Sequence, residues 1–334
     1  MKNKWLGSLL ICGLAFVFAA CDSIVSGNEY VPKIGVILSS YPYLFDAVDI
    51  KEGFDNQNNW KAISEFVYSE RDQEKQYGQI DTFLLEEKVD VLAVCLANNG
   101  GDNAVINAVM AKAKAAGIPL VFFSSETNGQ PDFYEIRIDQ NEVAGILGKI
   151  LADYWKDPAN NPDRNGDGDM QYLMVHGPLA NMEAKARKEK TIPAIEAEGI
   201  TVDCLKEFDG EWGMNPSKKA ELKAWLEGSV GSTVEAVICG NDQMALDVID
   251  VLAEIPALAG IPIVGTDGTD EAIAAINEGK MLGTVLQDFV KVGAAVFDVC
   301  YALGVGNAVT GEGHEWTLTG KIITIPPKGI QKEE

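Results

Sequence analysis

Seven short apolar runs recur along this chain, separated by longer amphipathic stretches, and that alternation constrains the fold more than any other feature. The runs are KIGVILS (33–39), VDVLAVCLA (89–97), IPLVFFSS (118–125), QYLMVHG (171–177), VEAVICG (234–240), IPIVGTD (261–267) and LGTVLQD (282–288). Their length suits strands buried on both faces. Between two of them, DNAVINAVMAKAKAAG (102–117) places Val105, Ile106, Val109 and Met110 at helical spacing, with Gly117 as a stop. DQMALDVIDVLAE (242–254) does the same with Met244, Leu246, Val248, Ile249 and Leu252. Strand, helix, strand in repetition predicts an α/β fold: doubly wound parallel sheets with helices on both faces. The units are too numerous for one ordinary sheet. We therefore expect two lobes, the first running to about Ile138 and the second beginning near Asp139.

In open parallel sheets, ligands bind outside the carboxyl ends of the strands. Polar and aromatic residues gather at those ends here: Tyr41, Tyr43, Asn98, Asn99, Asn241, Asp242, Asp267, Gln287 and Asp288. Each of the Asp and Asn residues also suits a helix N-cap. Singly they read as caps as readily as ligands; as a set they point to a cleft between facing lobes.

The N-terminus reads as an export signal. Lys2 and Lys4 precede an apolar stretch from Trp5 to Ala20, and Cys21 follows two alanines. That order is similar to a bacterial lipoprotein signal, which makes residues 1–20 the signal peptide, Cys21 the lipidation site and 21–30 a linker. The other readings are an uncleaved anchor or a soluble cleaved protein. Removing the signal takes two lysines and leaves 25 basic against 50 acidic residues, a net charge of −25. Such a surface repels nucleic acid and anionic lipid and favours a neutral ligand. The remaining cysteines, Cys95, Cys204, Cys239 and Cys300, show no metal spacing, and His176 and His314 are the only histidines.

Three segments carry chemistry. In DRNGDGDMQ (163–171), Asp163, Asn165 and Asp167 hold positions 1, 3 and 5 of an EF-hand-like loop, with Gly168 at 6, Asp169 at 7 and Gln171 at 9. This spacing turns oxygens inward, as a hard cation needs. Position 12 is Met174, so the bidentate carboxylate must come from elsewhere, and a solvated acidic turn is the plainer alternative. In EWGMNPSKKAELKAW, Trp212 precedes a helix capped by Asn215 or Ser217; it is either a core anchor or a flat platform for the apolar face of a sugar. In NMEAKAR (181–187), Asn181, Glu183 and Arg187 open a helix, with Glu183 and Arg187 on one face. They form either an exposed pair or a donor fork aimed into the cleft. No nucleophile–base set, GxGxxG or phosphate loop is found, which argues against an enzyme. A glycosidase would need a carboxylate pair such as Glu183 and Asp267. A repressor of this architecture would need a basic DNA-binding N-terminus.

From KIGV at 33 to KIITIPPKGI at 321–330, the chain resembles the galactose/glucose-binding proteins of bacterial ABC sugar uptake. The resemblance rests on RDQEKQYGQID (71–81), DRNGDGDMQ, EWGMNPSKKAELKAWL, VEAVICGND and VGTDGTDEAI. It implies a type I periplasmic binding protein: two lobes joined by a three-segment hinge, closing on a hexose, with no catalysis. The implied division is 31–138 plus 289–318 for the first lobe and 139–288 plus 319–334 for the second. A helix at 289–305 thereby returns to the first lobe. The likeness supplies Glu235 as the missing carboxylate of a structural calcium site. Trp212 and Phe45 match the aromatics on the two faces of the sugar. Arg187, Asn241 and Asp267 match polar contacts. The chain departs from the family at Asn181 (a histidine there), Glu183 (aspartate), Gln287 (asparagine), Tyr43 (aspartate) and Cys95 (asparagine), and Asn98 or Asn99 would have to stand in for the last. These changes in the first lobe imply D-glucose preferred over D-galactose. The implied partner of this monomer is an ABC permease, with a chemoreceptor as the alternative.

Overall fold

The computed structural model describes residues 30–97, 102–125, 127 and 132–332. Cys21, the expected lipidation site, and the residues Asn98 and Asn99 lie outside the described residues. Pro32 onward forms one compact unit.

The first half alternates β1 (Lys33–Leu38), α1 (Phe45–Asn58), β2 (Ile63–Tyr68), α2 (Gln73–Asp81), β3 (Val91–Val94), α3 (Asn103–Ala116), β4 (Leu120–Phe123) and β5 (Tyr134–Ile138). The second continues with α4 (Gln140–Lys156), β6 (Asp169–His176), α5 (Met182–Ala197), β7 (Thr201–Asp209), α6 (Pro216–Leu226), β8 (Ala236–Cys239), α7 (Asp242–Leu252), β9 (Ile263–Asp267), α8 (Asp270–Asn277) and β10 (Gly283–Leu286). The chain ends with α9 (Phe289–Gly304), β11 (Thr317–Thr319), β12 (Ile322–Ile325) and β13 (Lys328–Gln331). One sheet has the order β11-β12-β5-β4-β3-β1-β2; the other is β13-β10-β9-β8-β6-β7. Pairing is parallel except at the ends, where β11 runs against β12 and β13 against β10.

All seven apolar runs form strands, and β3, β4 and β8 are buried along their whole length. Helix ends follow the chemistry of orphan amides: Asp102, Asp139, Asn181, Asn215, Asn241 and Asp288 each accept from a first-turn N–H. The choice between Asn215 and Ser217 falls to Asn215.

The chain crosses between sheets three times: after β5, after β10 and after β12. The last crossing corrects the expected boundary at 318/319. β12 stays in the first sheet beside β5, with Ile323 and Ile325 buried. The return starts only at Pro326–Pro327, where two residues without N–H groups cannot extend a ladder.

Helix α9 lies against α1 at glycine contacts. A Cβ on Gly53 would fall 1.8 Å from the Val290 carbonyl oxygen, and one on Gly293 would fall 1.9 Å from that of Ile50. The near approach lets Phe54 meet Phe297 and Phe66 edge-on, at 5.2 and 5.0 Å between centroids.

Candidate ligand cleft and loop site

The strand ends of the second sheet converge on a buried cation. Arg187, one turn into α5, is 4 % exposed. Its Nε donates to Gln140 Oε1 at 2.8 Å and its Nη1 to the Gly240 carbonyl at 2.7 Å. Asp267 Oδ1 lies 3.9 Å from Nη1, and Glu183 Oε2 lies 3.5 Å from Nη2. The guanidinium is thus held along three edges, as its planar fork allows and an ammonium would not. Asp267 ends β9 with φ at 131°, a strained backbone for a residue with a side chain. Gln287, after β10, donates to its Oδ1 at 2.8 Å. Burial pushes the Asp267 carboxyl up to about 8, against the pull of Arg187; Asp242 and Glu183 add to the rise.

Trp212 forms the next wall. Its backbone is left-handed at φ 66°, and Asn241 Nδ2 donates to its carbonyl at 3.1 Å. The indole covers Gly177, where a Cβ would come within 2.8 Å of the ring. The Arg187 guanidinium carbon stands 5.8 Å from the ring centroid, a cation–π distance. Trp212 is therefore a partly buried ring fixed at the mouth of β6, between the core and platform readings.

Opposite these groups stand first-lobe residues. A small recess between them, of about 10 Å³, is lined by Ser124, Ser125, Arg137 and Ile138 from the first lobe. Gln140 and Phe289 at the crossings, with Glu183 and Gln287, complete it. Phe45 sits edge-on to Phe289 at 5.7 Å, which carries the aromatic wall toward α1. Cys95 Sγ lies 3.1 Å from Ser39 Oγ, and burial raises its thiol to about 11, a structural rather than reactive cysteine. Cys204, Cys239 and Cys300 are free thiols as well.

The remaining sequence candidates divide. Asn181 Oδ1 is held by the Ala184 amide, and Asn241 Oδ1 by that of Met244, so each carbonyl caps a helix. Tyr43 is 74 % exposed and stacks on Tyr41 at 5.6 Å. Sequence reasoning missed Ser124, Ser125, Arg137, Gln140 and Phe289. Their one sequence signal is position: each borders a strand end or a crossing.

The loop at 163–171 is closed by its own amides. Asp163 accepts from Gly166 and Gly168 at 2.6 and 3.0 Å. Gly166 and Gly168 take φ of 78° and 88°, a turn that β-carbons disfavour. Glu235, from the stretch before β8, is brought against the loop: Oε1 accepts from Arg164 and Asn165, and Oε2 from Gln171. Both side-chain amide nitrogens, of Asn165 and Gln171, meet Asp167 Oδ2 at 2.8 and 2.9 Å. The Asp169 backbone N–H holds the exposed Asp167 carboxyl below its usual value. Among the described residues, no three His, Cys, Asp or Glu groups gather as a metal cluster; the oxygens here are a mixed set of carboxylates and amides.

Residues 34–308 match the family described as periplasmic binding protein domain. The chain belongs to that family. It is a binding protein, not an enzyme. The periplasmic binding protein is 32 % identical over 272 residues to the D-galactose/methyl-galactoside binding periplasmic protein of Haemophilus influenzae, covering 79 % of this chain and 78 % of that one. It is 26 % identical to the xylitol-binding protein of Mycolicibacterium smegmatis, covering 79 % and 69 % of the two chains. The fold matches a solute binding protein of Bacillus halodurans with bound myo-inositol at a TM-score of 0.72. That match has 20 % identity and covers 92 % of this chain and 96 % of the other. No helix among the described residues is long and apolar enough to cross a membrane.

Proposed function

We propose that this binding protein is the lipid-anchored receptor of an ABC sugar importer, closing on a neutral hexose with D-glucose favoured over D-galactose. The observation that carries this reading is the Arg187–Asp267–Gln287 cluster beside Trp212 at the strand ends, with Gln287 lining a recess shared with the first lobe. A sugar presents apolar C–H faces and a polar rim. Trp212, with Phe45 on the other wall, suits the faces, while the buried fork and carboxylates suit the rim. Closure is favoured by the sugar because only the closed form lets both lobes touch it. A micromolar dissociation constant needs about −8 kcal/mol, within reach of stacking plus several charge-assisted hydrogen bonds. The closed form is what a membrane permease would recognise; a chemoreceptor could read the same form.

Calorimetric titration of the mature protein, stripped of ligand, with D-glucose, D-galactose and D-ribose tests this. One-site glucose binding, tighter than galactose and weakened by Trp212→Ala, is the expected result. Equal affinities would remove the epimer preference. No heat from any of the three, with the protein shown to be folded, would remove the hexose reading.

We assign calcium to the 163–171 loop with Glu235. The donor set fits a hard cation: Asp163, Asn165, Asp167, Gln171 and Glu235 offer side-chain oxygens, and Asp169 its carbonyl. The two amides facing Asp167 would turn over to present oxygen. The ion's role is structural, bridging the stretch before β6 to that before β8. Chelation is expected to lower the melting temperature by roughly 5–10 °C, the scale for losing a ligand present at about a hundred times its dissociation constant. A melting curve indifferent to chelator removes the assignment.

A further inference from the structure

Two of the three crossings pass through a pair of buried glutamines. Gln140, the first residue of α4, follows the crossing from β5 and is 4 % exposed; Gln287, at the crossing into α9, is 3 % exposed. Arg187 Nε donates to Gln140 Oε1, Gln140 Nε2 to Gln287 Oε1, and Gln287 Nε2 to Asp267 Oδ1, each at 2.8 Å. Asp267 Oδ1 returns to Arg187 Nη1 at 3.9 Å. Four side chains thus form a ring.

Amide orientation is ordinarily ambiguous, but here chemistry fixes it. A guanidinium only donates, so Gln140 must present its oxygen to Arg187. Its NH₂ then faces Gln287, which must present oxygen in turn. The NH₂ of Gln287 faces Asp267, whose Oδ1 accepts, so any proton on that carboxyl sits on Oδ2.

We propose that Gln140 is a positioning residue that couples the hinge to the ligand site. It orients Arg187 directly and Asp267 through Gln287, so that hinge geometry and sugar affinity are set by one ring of three hydrogen bonds closed by an ion pair. The inference rests on the reading of Arg187 and Asp267 as sugar contacts. Closure must change backbone angles at these crossings. The ring ties two crossings to each other and to the groups that would hold the ligand.

Gln140→Glu nearly preserves shape but reverses one step of the ring. The substituted carboxylate, when ionised, accepts from Arg187 but has no N–H for Gln287. Either that carboxyl group takes up a proton and donates it, or Gln287 turns over and Asp267 must hold its proton on Oδ1. In both arrangements the contact between neighbours depends on a proton within the ring, which rising pH removes. The charged groups around Asp267 are Arg187 and Glu183 on α5 and Asp242 on α7; Arg137 and Glu183 line the recess that Gln140 and Gln287 border.

Two measurements on the mature wild-type protein, Gln140→Glu and Gln140→Leu test the proposal between about pH 5 and pH 9. The first is melting temperature without ligand; the second is D-glucose affinity. Gln140→Glu is expected to lose melting temperature with rising pH relative to wild type. Its affinity is expected to fall by up to about tenfold per pH unit, the signature of one linked proton. Gln140→Leu, with no proton to take up, is expected to lose affinity by roughly 10- to 100-fold with the pH dependence of wild type. A Gln140→Glu protein that melts like wild type at every pH overturns the ring. A pH-linked melt with wild-type affinity overturns its positioning role. A wild type that binds no sugar overturns the hexose reading and the role resting on it, while the melting curves still decide whether the ring exists.

Discussion

Gly293→Val is expected to abolish folding of the first lobe, and Gly293→Ala to cost about 3 kcal/mol or more. The ordinary cost of overpacking a core is about 1–3 kcal/mol. Here a single methyl would sit 1.9 Å from the Ile50 carbonyl oxygen, and backbone cannot turn aside as a side chain can. The 14 residues of α1 and the 16 of α9 would have to move apart together. That movement would open the contacts of Phe54 with Phe297 and of the buried residues beside them. Gly145→Ala is the matched control. Gly145 lies inside α4 and a Cβ there meets nothing within 4 Å. The change should therefore stabilise by roughly 0.5–1 kcal/mol through helix propensity alone. Urea unfolding of the two alanine variants, with the valine variant scored by circular dichroism, checks the pair. Equal stabilities for Gly293→Ala and Gly145→Ala would refute the close-approach argument.

Arg187→Ala is expected to weaken hexose binding at least about 100-fold and to destabilise the second lobe. Leaving a buried hydrogen-bond acceptor without its donor costs about 1–3 kcal/mol, more where the acceptor is charged. Here the loss strands the Gln140 oxygen, the Gly240 carbonyl and Asp267 at once. Asp267 would keep only acidic charged neighbours, Asp242 and Glu183, and would rise further above its ordinary value. Arg187→Lys keeps the charge but cannot address Gln140 and Gly240 from one planar group, so affinity should also fall, with less loss of stability. Titration calorimetry beside thermal melts separates the two effects. Wild-type glucose affinity in either folded variant would show that Arg187 is a scaffold residue and not a ligand contact.

Much of the architecture was legible because buried parallel strands announce themselves. β3, β4 and β8 are short, continuous apolar runs, since both faces of each lie under helices. The strands that were not anticipated had no such run. β2 and β7 are edge strands, each paired on one side only, and apart from the buried Phe208 their residues are partly buried or exposed. Polar residues are tolerated there, so a search for apolar runs passes over them. The third crossing was misplaced for a related reason. Nothing in KIITI says which sheet it joins; that was decided by the edge that β5 offered.

The site shows the same division. The sequence by itself determined the two-lobed α/β layout, the oxygen spacing of the 163–171 loop and the polar residues at strand ends. These follow from local periodicity and from side-chain chemistry a few residues apart. Only the tertiary structure decided which of those residues act together. Asn181 and Asn241 turned their carbonyls to helix caps, because each sits within reach of an orphan first-turn amide. Arg187, Gln140, Gln287 and Asp267 became one ring although 47 residues separate Arg187 from Gln140 and 147 separate Gln140 from Gln287. Contacts that join separate crossings of the chain have no signature in local sequence. They depend on where whole sheets and helices come to rest, which is set by burial of the apolar faces and not by the polar residues that the packing brings together.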